Sequence, residues 1–250
     1  LPSRDHTERL LPLFGVPVLR RGLSAAVAGP ARLRGVRWRL PGDASSAAFW
    51  VAAAVLVPGS RLRLPRVGAN RARTGYLRVL RRMGARIAEL KPAGGCEPVC
   101  DLSIAASSLK AARVGARELP SLIDEVPLLA LAASQARGTS RFQGLAELRH
   151  KESDRLAGTV RLLHSFGARA RVEGDALVVR GPARLRGARF DPRGDHRLAM
   201  AAAVAGLIAQ GDTTVESAEC IAVSYPGFAA ELRRLTASAG CGAAGAGKRS

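Results

Sequence analysis

Four short phrases in the 250-residue chain carry side chains able to do acid–base work on an anionic substrate. The densest is His150-Lys151-Glu152-Ser153-Asp154-Arg155. Read as the start of a helix, it sets Lys151 and Arg155 at i and i+4 on one face with Glu152 one position around, so two cations and one carboxylate would meet a doubly anionic substrate. The plainer reading is a solvated first turn whose acids favour the helix dipole. Gly194-Asp195-His196-Arg197 precedes an Ala-rich apolar run, and a His-Arg pair at the mouth of a buried helix must face either core or cleft. Asp124, in Leu122-Ile123-Asp124-Glu125-Val126-Pro127, reads as an N-cap with Pro127 in the first turn, and its use in chemistry depends on the groups around it. Ser3-Arg4-Asp5-His6-Thr7-Glu8-Arg9 reads on its own as a capping sequence for a short helix. A Ser-His-Asp hydrolase triad can be spelled from these letters, but no Gly-x-Ser-x-Gly elbow exists to hold the nucleophile.

Other chemistries find less support. Cys96, Cys100, Cys220 and Cys241 contain no Cys-x-x-Cys pair and no partner His cluster, which argues against zinc and fits the reduced thiols of a cytoplasmic protein. The formal charge of +19 raises nucleic-acid binding, yet only four of the 39 basic residues are Lys and the arginines are spread without a dominant block. That pattern, with abundant Ala and Gly, is what a GC-rich genome gives an ordinary protein, so no specific nucleic acid is expected. No stretch resembles a signal peptide, and the apolar run from Ala47 to Val57 is too short to span a bilayer, so no membrane partner is expected either. The chain begins without Met, from which a preceding segment is expected.

The elements that must position these residues repeat. Three segments open with an acid, continue as an Ala-rich apolar helix and reach a Gly: Asp43 to Gly59, Asp124 to Gly138 and Asp195 to Gly211, separations of 16, 14 and 16 residues. After each Gly an alternating strand is predicted, from Ser60, Thr139 and Asp212, then a second helix closing at Gly84, Gly167 and Gly240. Gly15 looks like the closing Gly of a fourth unit, and a hairpin is predicted around Glu173-Gly174-Asp175. The unit of helix, strand, helix and strands makes an α/β fold with apolar helices at its centre and sheets outside. Three positive helix ends would then point at one region suited to phosphate and carboxylate groups.

Taken together and in this order, Ser-Arg-Asp-His-Thr-Glu-Arg, Gly-Asp-Ala-Ser-Ser, Ile-Asp-Glu-Val-Pro, Lys-Glu-Ser-Asp-Arg and Gly-Asp-His-Arg resemble the 5-enolpyruvylshikimate-3-phosphate synthases, from Ser3 to about Leu235. The sister UDP-N-acetylglucosamine enolpyruvyl transferases share the fold but lack the last two phrases. The resemblance implies an inside-out barrel of repeated units in two domains with the site between them. Residues 1–41 would be a remnant of the shikimate-binding domain, 42–236 the second domain and 237–250 a loose tail. It implies transfer of the enolpyruvyl group of phosphoenolpyruvate to the 5-hydroxyl of shikimate 3-phosphate, with no cofactor and no metal, in a protein that is monomeric at full length. By the same resemblance Asp124 and Glu152 are the acid–base residues, and Ser3 and Lys151 contact shikimate 3-phosphate. Arg155 and Arg197, with His196 beside them, hold phosphoenolpyruvate, and Arg4 is a weaker candidate at the same site.

The chain also departs from the family. Its amino-terminal Lys-Ser phrase, the Ser-Gln phrase for the shikimate ring and a further Arg for phosphoenolpyruvate would lie upstream of Ser3. Many members carry a Lys where Ala222-Val223-Ser224-Tyr225-Pro226 has none, and Pro12 is unexpected inside a helical segment. The 250-residue chain alone is therefore expected to turn over undetectably. The alternative is an anion- or nucleic-acid-binding module that keeps the fold without catalysis.

Overall fold

The computed structural model describes residues 3–241. Three helices form the centre: α2 (Ala44–Leu56), α4 (Val126–Gln135) and α6 (His196–Gly206), after the short α1 (His6–Leu10) and with α3 (Gly75–Arg82) and α5 (Arg155–Ser165) between them. Small and aliphatic side chains on all sides of the three leave no polar stripe to face water, so they pack against one another and lie almost wholly buried. The outer helices are two-faced: α3 buries Tyr76, Leu77, Val79 and Leu80 and exposes Arg78.

The strands repeat with the helices. In the first unit β3 (Arg61–Gly68), β4 (Arg86–Ala93) and β5 (Val99–Ala105) make an antiparallel sheet of order β3-β5-β4. Two strands at the chain start, β1 (Val18–Arg21) and β2 (Ser24–Val27), pair as an exposed antiparallel hairpin. The second unit has β6 (Arg113–Val114), β7 (Gly138–Phe142), β8 (Arg169–Glu173) and β9 (Ala176–Gly181) in the order β6-β7-β9-β8, with β6 parallel to β7. The third keeps β10 (Arg189–Phe190) parallel to β11 (Thr214–Val215) on either side of α6. A parallel bridge from Gly42 to Val67 occupies the same place in the first unit. Each unit thus enters on a short strand, crosses through an inner helix and returns parallel to it. The sheets stay separate around the helices, so the helices-inside arrangement holds without a closed β-barrel.

Gly84 and Gly167 follow the ends of α3 and α5 at φ +101° and +81°, the left-handed region in which a C′ glycine is unstrained. The third closing position differs: α7 (Phe228–Cys241) runs through Gly240. It also passes position 237, where the sequence suggests a loose tail, and residues 242–250 of that tail lie outside the described residues. An aromatic cluster of Phe49, Trp50, Tyr225 and Phe228 locks α7 to α2, and the Trp50 indole donates to the Tyr225 hydroxyl at 2.9 Å. Pro12 causes no kink, because α1 stops at Leu10 and Pro12 sits in the first turn of a 3-10 segment, Leu11–Phe14, where its missing N–H is not needed. No helix among the described residues is long and apolar enough to cross a membrane.

Candidate active site

The three inner helices start in one place. Asp43 caps α2 by accepting from the amides of Ser45 and Ser46 at 3.3 and 2.8 Å, and Asp195 caps α6 through the amides of Arg197 and Leu198 at 3.0 and 3.3 Å. Asp124 breaks the expected pattern. It lies within a 3-10 turn, Ile123–Glu125, ahead of α4, and its side chain caps nothing. Freed from that task, the carboxylate meets four cations from three separate segments. Arg4 Nη2 binds Oδ2, Arg73 Nη1 lies 3.6 Å from the same oxygen, and Arg155 Nη1 and Lys151 Nζ lie 3.4 and 3.9 Å from Oδ1. Burial alone would raise the Asp124 carboxyl, but Arg197, Arg4, Lys151 and Arg155 together outweigh it and hold the group below its ordinary value.

Lys151 and Arg155 do not meet as helix neighbours. The helix begins only at Arg155, capped by Asp154 through the amide of Ala157 at 2.9 Å, whereas Lys151 follows a 3-10 turn, Leu145–His150. Their reach to Asp124 comes from this irregular connection, so the i, i+4 face expected from the spacing is absent. Arg155 is fully buried (0% of its side chain exposed), and each of its three side-chain nitrogens donates to a carboxylate. Its Nε donates to Asp195 at 2.9 Å, Nη1 to Asp124 and Nη2 to Glu152. Glu152 is half-exposed at 47% and lies over that guanidinium.

His196 and Arg197 share the first turn of α6. Arg197 Nη1 lies 3.6 Å from Glu125 Oε1, which is 98% removed from solvent and also accepts from Ser45 Oγ at 2.6 Å. Burial first, then the neighbouring Arg197 charge, pushes His196 below its ordinary value, against the opposing pull of Glu152 and Asp195. Ser3 is half-buried next to Arg4. Asp124, Glu152, Lys151, Arg155, Arg4 and Arg197 are therefore brought together, with His196 and Ser3 adjoining them. Four further residues belong to this cluster without having been given a role in the site from sequence. Asp195, Ser45 and Glu125 stand inside the phrases quoted above, so those phrases held the signal. Arg73 stands in no quoted phrase; only the packing of the turn before α3 against α2 delivers it to Asp124 and, at 2.5 Å, to Ser45 Oγ.

The helix starts thus converge on a cluster of cations and carboxylates carried by repeated units with their helices inside. An enolpyruvyl transferase of Streptomyces tendae, NikO, superposes with a TM-score of 0.73 at 24% identity over 91% of this chain and 51% of its own, a likeness of fold. The family description EPSP synthase (3-phosphoshikimate 1-carboxyvinyltransferase) matches residues 1–232, and the chain belongs to that family. Relatives called 3-phosphoshikimate 1-carboxyvinyltransferase from Desulforudis audaxviator and Gloeobacter violaceus are each 49% identical over 234 residues, 93% of this chain and 54% of theirs. The EPSP synthase of Acinetobacter baumannii superposes with a TM-score of 0.87 at 35% identity, over 94% of this chain and 54% of that one. The chain thus spans about half the length of the curated relatives it matches.

Proposed function

We propose that this chain provides the acid–base and phosphoenolpyruvate side of a site that transfers an enolpyruvyl group to the 5-hydroxyl of shikimate 3-phosphate. Residues 1–41 belong with the shikimate-binding domain and 42–236 form the second domain. The observation that carries the reading is Asp124, an ionised carboxylate within ion-pair reach of Arg4, Arg73, Lys151 and Arg155 at the meeting point of three helix starts.

In the reaction a hydroxyl loses a proton while the enol carbon of phosphoenolpyruvate gains one. The tetrahedral adduct then expels phosphate and gives a proton back. Asp124 takes the hydroxyl proton. The cations that weaken it as a base are those that substrate phosphate and carboxylate groups claim, so binding restores its basicity at the moment it is needed. Glu152, once displaced from Arg155, is the mobile carboxylate that serves the enol carbon. Arg155 and Arg197 hold phosphoenolpyruvate with His196 beside them, Lys151 and Ser3 hold shikimate 3-phosphate, and the fixed guanidinium groups stabilise charge as it develops.

The test is equilibrium binding of phosphoenolpyruvate to the purified chain and to Arg197→Gln. Losing a charge-assisted contact of about 1.5–3 kcal/mol predicts weakening by roughly 10- to 150-fold. Equal affinity in the two proteins would remove Arg197 from the site and the reading with it.

A further inference from the structure

Glu125 is a buried carboxylate of the cluster that caps no helix, and the proposed chemistry gives it no task. It is buried where the starts of α2, α4 and α6 meet, and the groups facing it come from each. Ser45 Oγ donates to its Oε1 at 2.6 Å from α2, and Arg197 Nη1 lies 3.6 Å from the same oxygen at the start of α6. Arg73, from the turn before α3, donates to Ser45 Oγ at 2.5 Å and so reaches Glu125 through one hydroxyl. Asp124 precedes it in the chain, and Tyr76 of α3, whose hydroxyl donates to the Ala44 carbonyl, feels its charge together with that of Asp43. Glu125 and Arg197 are thus a buried carboxylate and its nearest cation, and that cation is one that an anionic ligand would claim.

We propose that Glu125 is a positioning residue that parks the Arg197 guanidinium at the mouth of the site and takes up one proton from solvent when an anionic ligand draws that guanidinium away. This rests on Arg197 being an anion-binding residue, as argued above. The physical reason is that a carboxylate stripped of its cation inside a protein is too costly to remain charged and neutralises instead. Glu125 is already inclined that way: burial raises its carboxyl above the ordinary value, against the opposing hydrogen bond from Ser45 and the charges of Arg197 and Arg73, with Asp124 adding to the rise. The protonated acid keeps a hydrogen bond with Ser45, so the hub of the three helices survives the exchange.

Sulfate serves as the probe, because it does not itself titrate near neutral pH. Calorimetry in buffers of different ionisation enthalpy counts the protons taken up, and the Glu125 side-chain carboxyl carbon is followed by NMR across pH. The expected result is that sulfate binding to the wild-type chain tightens on acidification, with Glu125 contributing up to tenfold per pH unit, the limit for one linked proton. His196 faces the same guanidinium and contributes its own share, so the telling quantity is the difference on Glu125→Gln. That variant retains a hydrogen-bonding partner for Ser45 and should bind sulfate with one proton fewer taken up. Arg197→Gln should move the Glu125 titration upward without any ligand. A Glu125 midpoint unmoved by Arg197→Gln overturns the proposal, as does a proton count equal in Glu125→Gln and wild type. Failure of sulfate to bind at all, with Glu125 still responding to Arg197→Gln, would instead refute the anion-site reading and leave no ligand-linked uptake.

Discussion

Replacing Arg155 by Met keeps most of the buried stem and removes the charge, which isolates what the guanidinium holds. Asp195 is fully buried, and Arg155 Nε at 2.9 Å is its charged partner. Removing one member of a buried ion pair costs about 3–5 kcal/mol, because the other charge is left uncompensated. Asp195 would retain Ser153 Oγ at 3.0 Å and the amides of Arg197 and Leu198. The lower end, about 3 kcal/mol, is therefore expected at pH 7. For a domain of this size that is a fall in Tm of roughly 6–12 °C. The pH dependence has a definite sign. Burial would raise the Asp195 carboxyl, but the hydrogen bond and charge of Arg155 prevail and depress it. A depressed carboxylate contributes stability that is present above its unfolded value, about 4, and lost as pH falls through the folded one. The gap between wild type and Arg155→Met should therefore be widest near neutrality and shrink below about pH 4. Urea unfolding followed by the fluorescence of Trp38 and Trp50 measures it, and the double variant Arg155→Met/Asp195→Asn should recover part of the loss. A variant as stable as wild type at pH 7, or a gap that widens on acidification, would refute the reasoning.

The His196 ring should titrate below the ordinary value of about 6.5, moving upward in Arg197→Gln, as read by NMR. Since its unfolded state binds the proton more readily, this group adds to stability as pH rises through that window. Gly181→Ala should destabilise by ~3 kcal/mol in urea unfolding, because its Cβ would lie 2.5–2.7 Å from the carbonyl oxygens of Ala133, Ser134 and Ala136 at the end of α4. Val223, 85% exposed, should accept Lys with a change within about 0.5 kcal/mol in the same assay. Binding of duplex DNA should be weak and steeply salt-dependent by titration against several sequences, since only phosphate contacts are available to scattered arginines.

Periodicity alone reveals the repeat, since three apolar helices with no polar stripe must be buried together, and the β8–β9 turn at Gly174 follows from its residues. Sheet order and the parallel bridges across each inner helix are tertiary facts without a local signal. The site divides in the same way. Asp195 and Asp43 cap helices as their positions suggest, whereas Asp124 looks like a cap and is none, because an extra 3-10 turn shifts the helix start to Val126. Lys151 and Arg155 are spaced for one helical face, yet the chain between them is irregular. Glu125 and Arg73 gain their partners through side chains far apart in sequence, 80 residues between Ser45 and Glu125 and 28 between Ser45 and Arg73, and spacing carries no trace of that.

Phosphate release tests the proposed chemistry most directly, measured on this chain mixed with the separately expressed amino-terminal half of a full-length relative, with phosphoenolpyruvate and shikimate 3-phosphate supplied. Release should require both substrates and both polypeptides, and should fall by about 10²–10⁴ in Glu152→Gln and in Asp124→Asn, the usual contribution of a positioned acid or base. Release at the wild-type rate in both variants, from a mixture that needs both substrates, would contradict the assignment of proton transfer to Asp124 and Glu152.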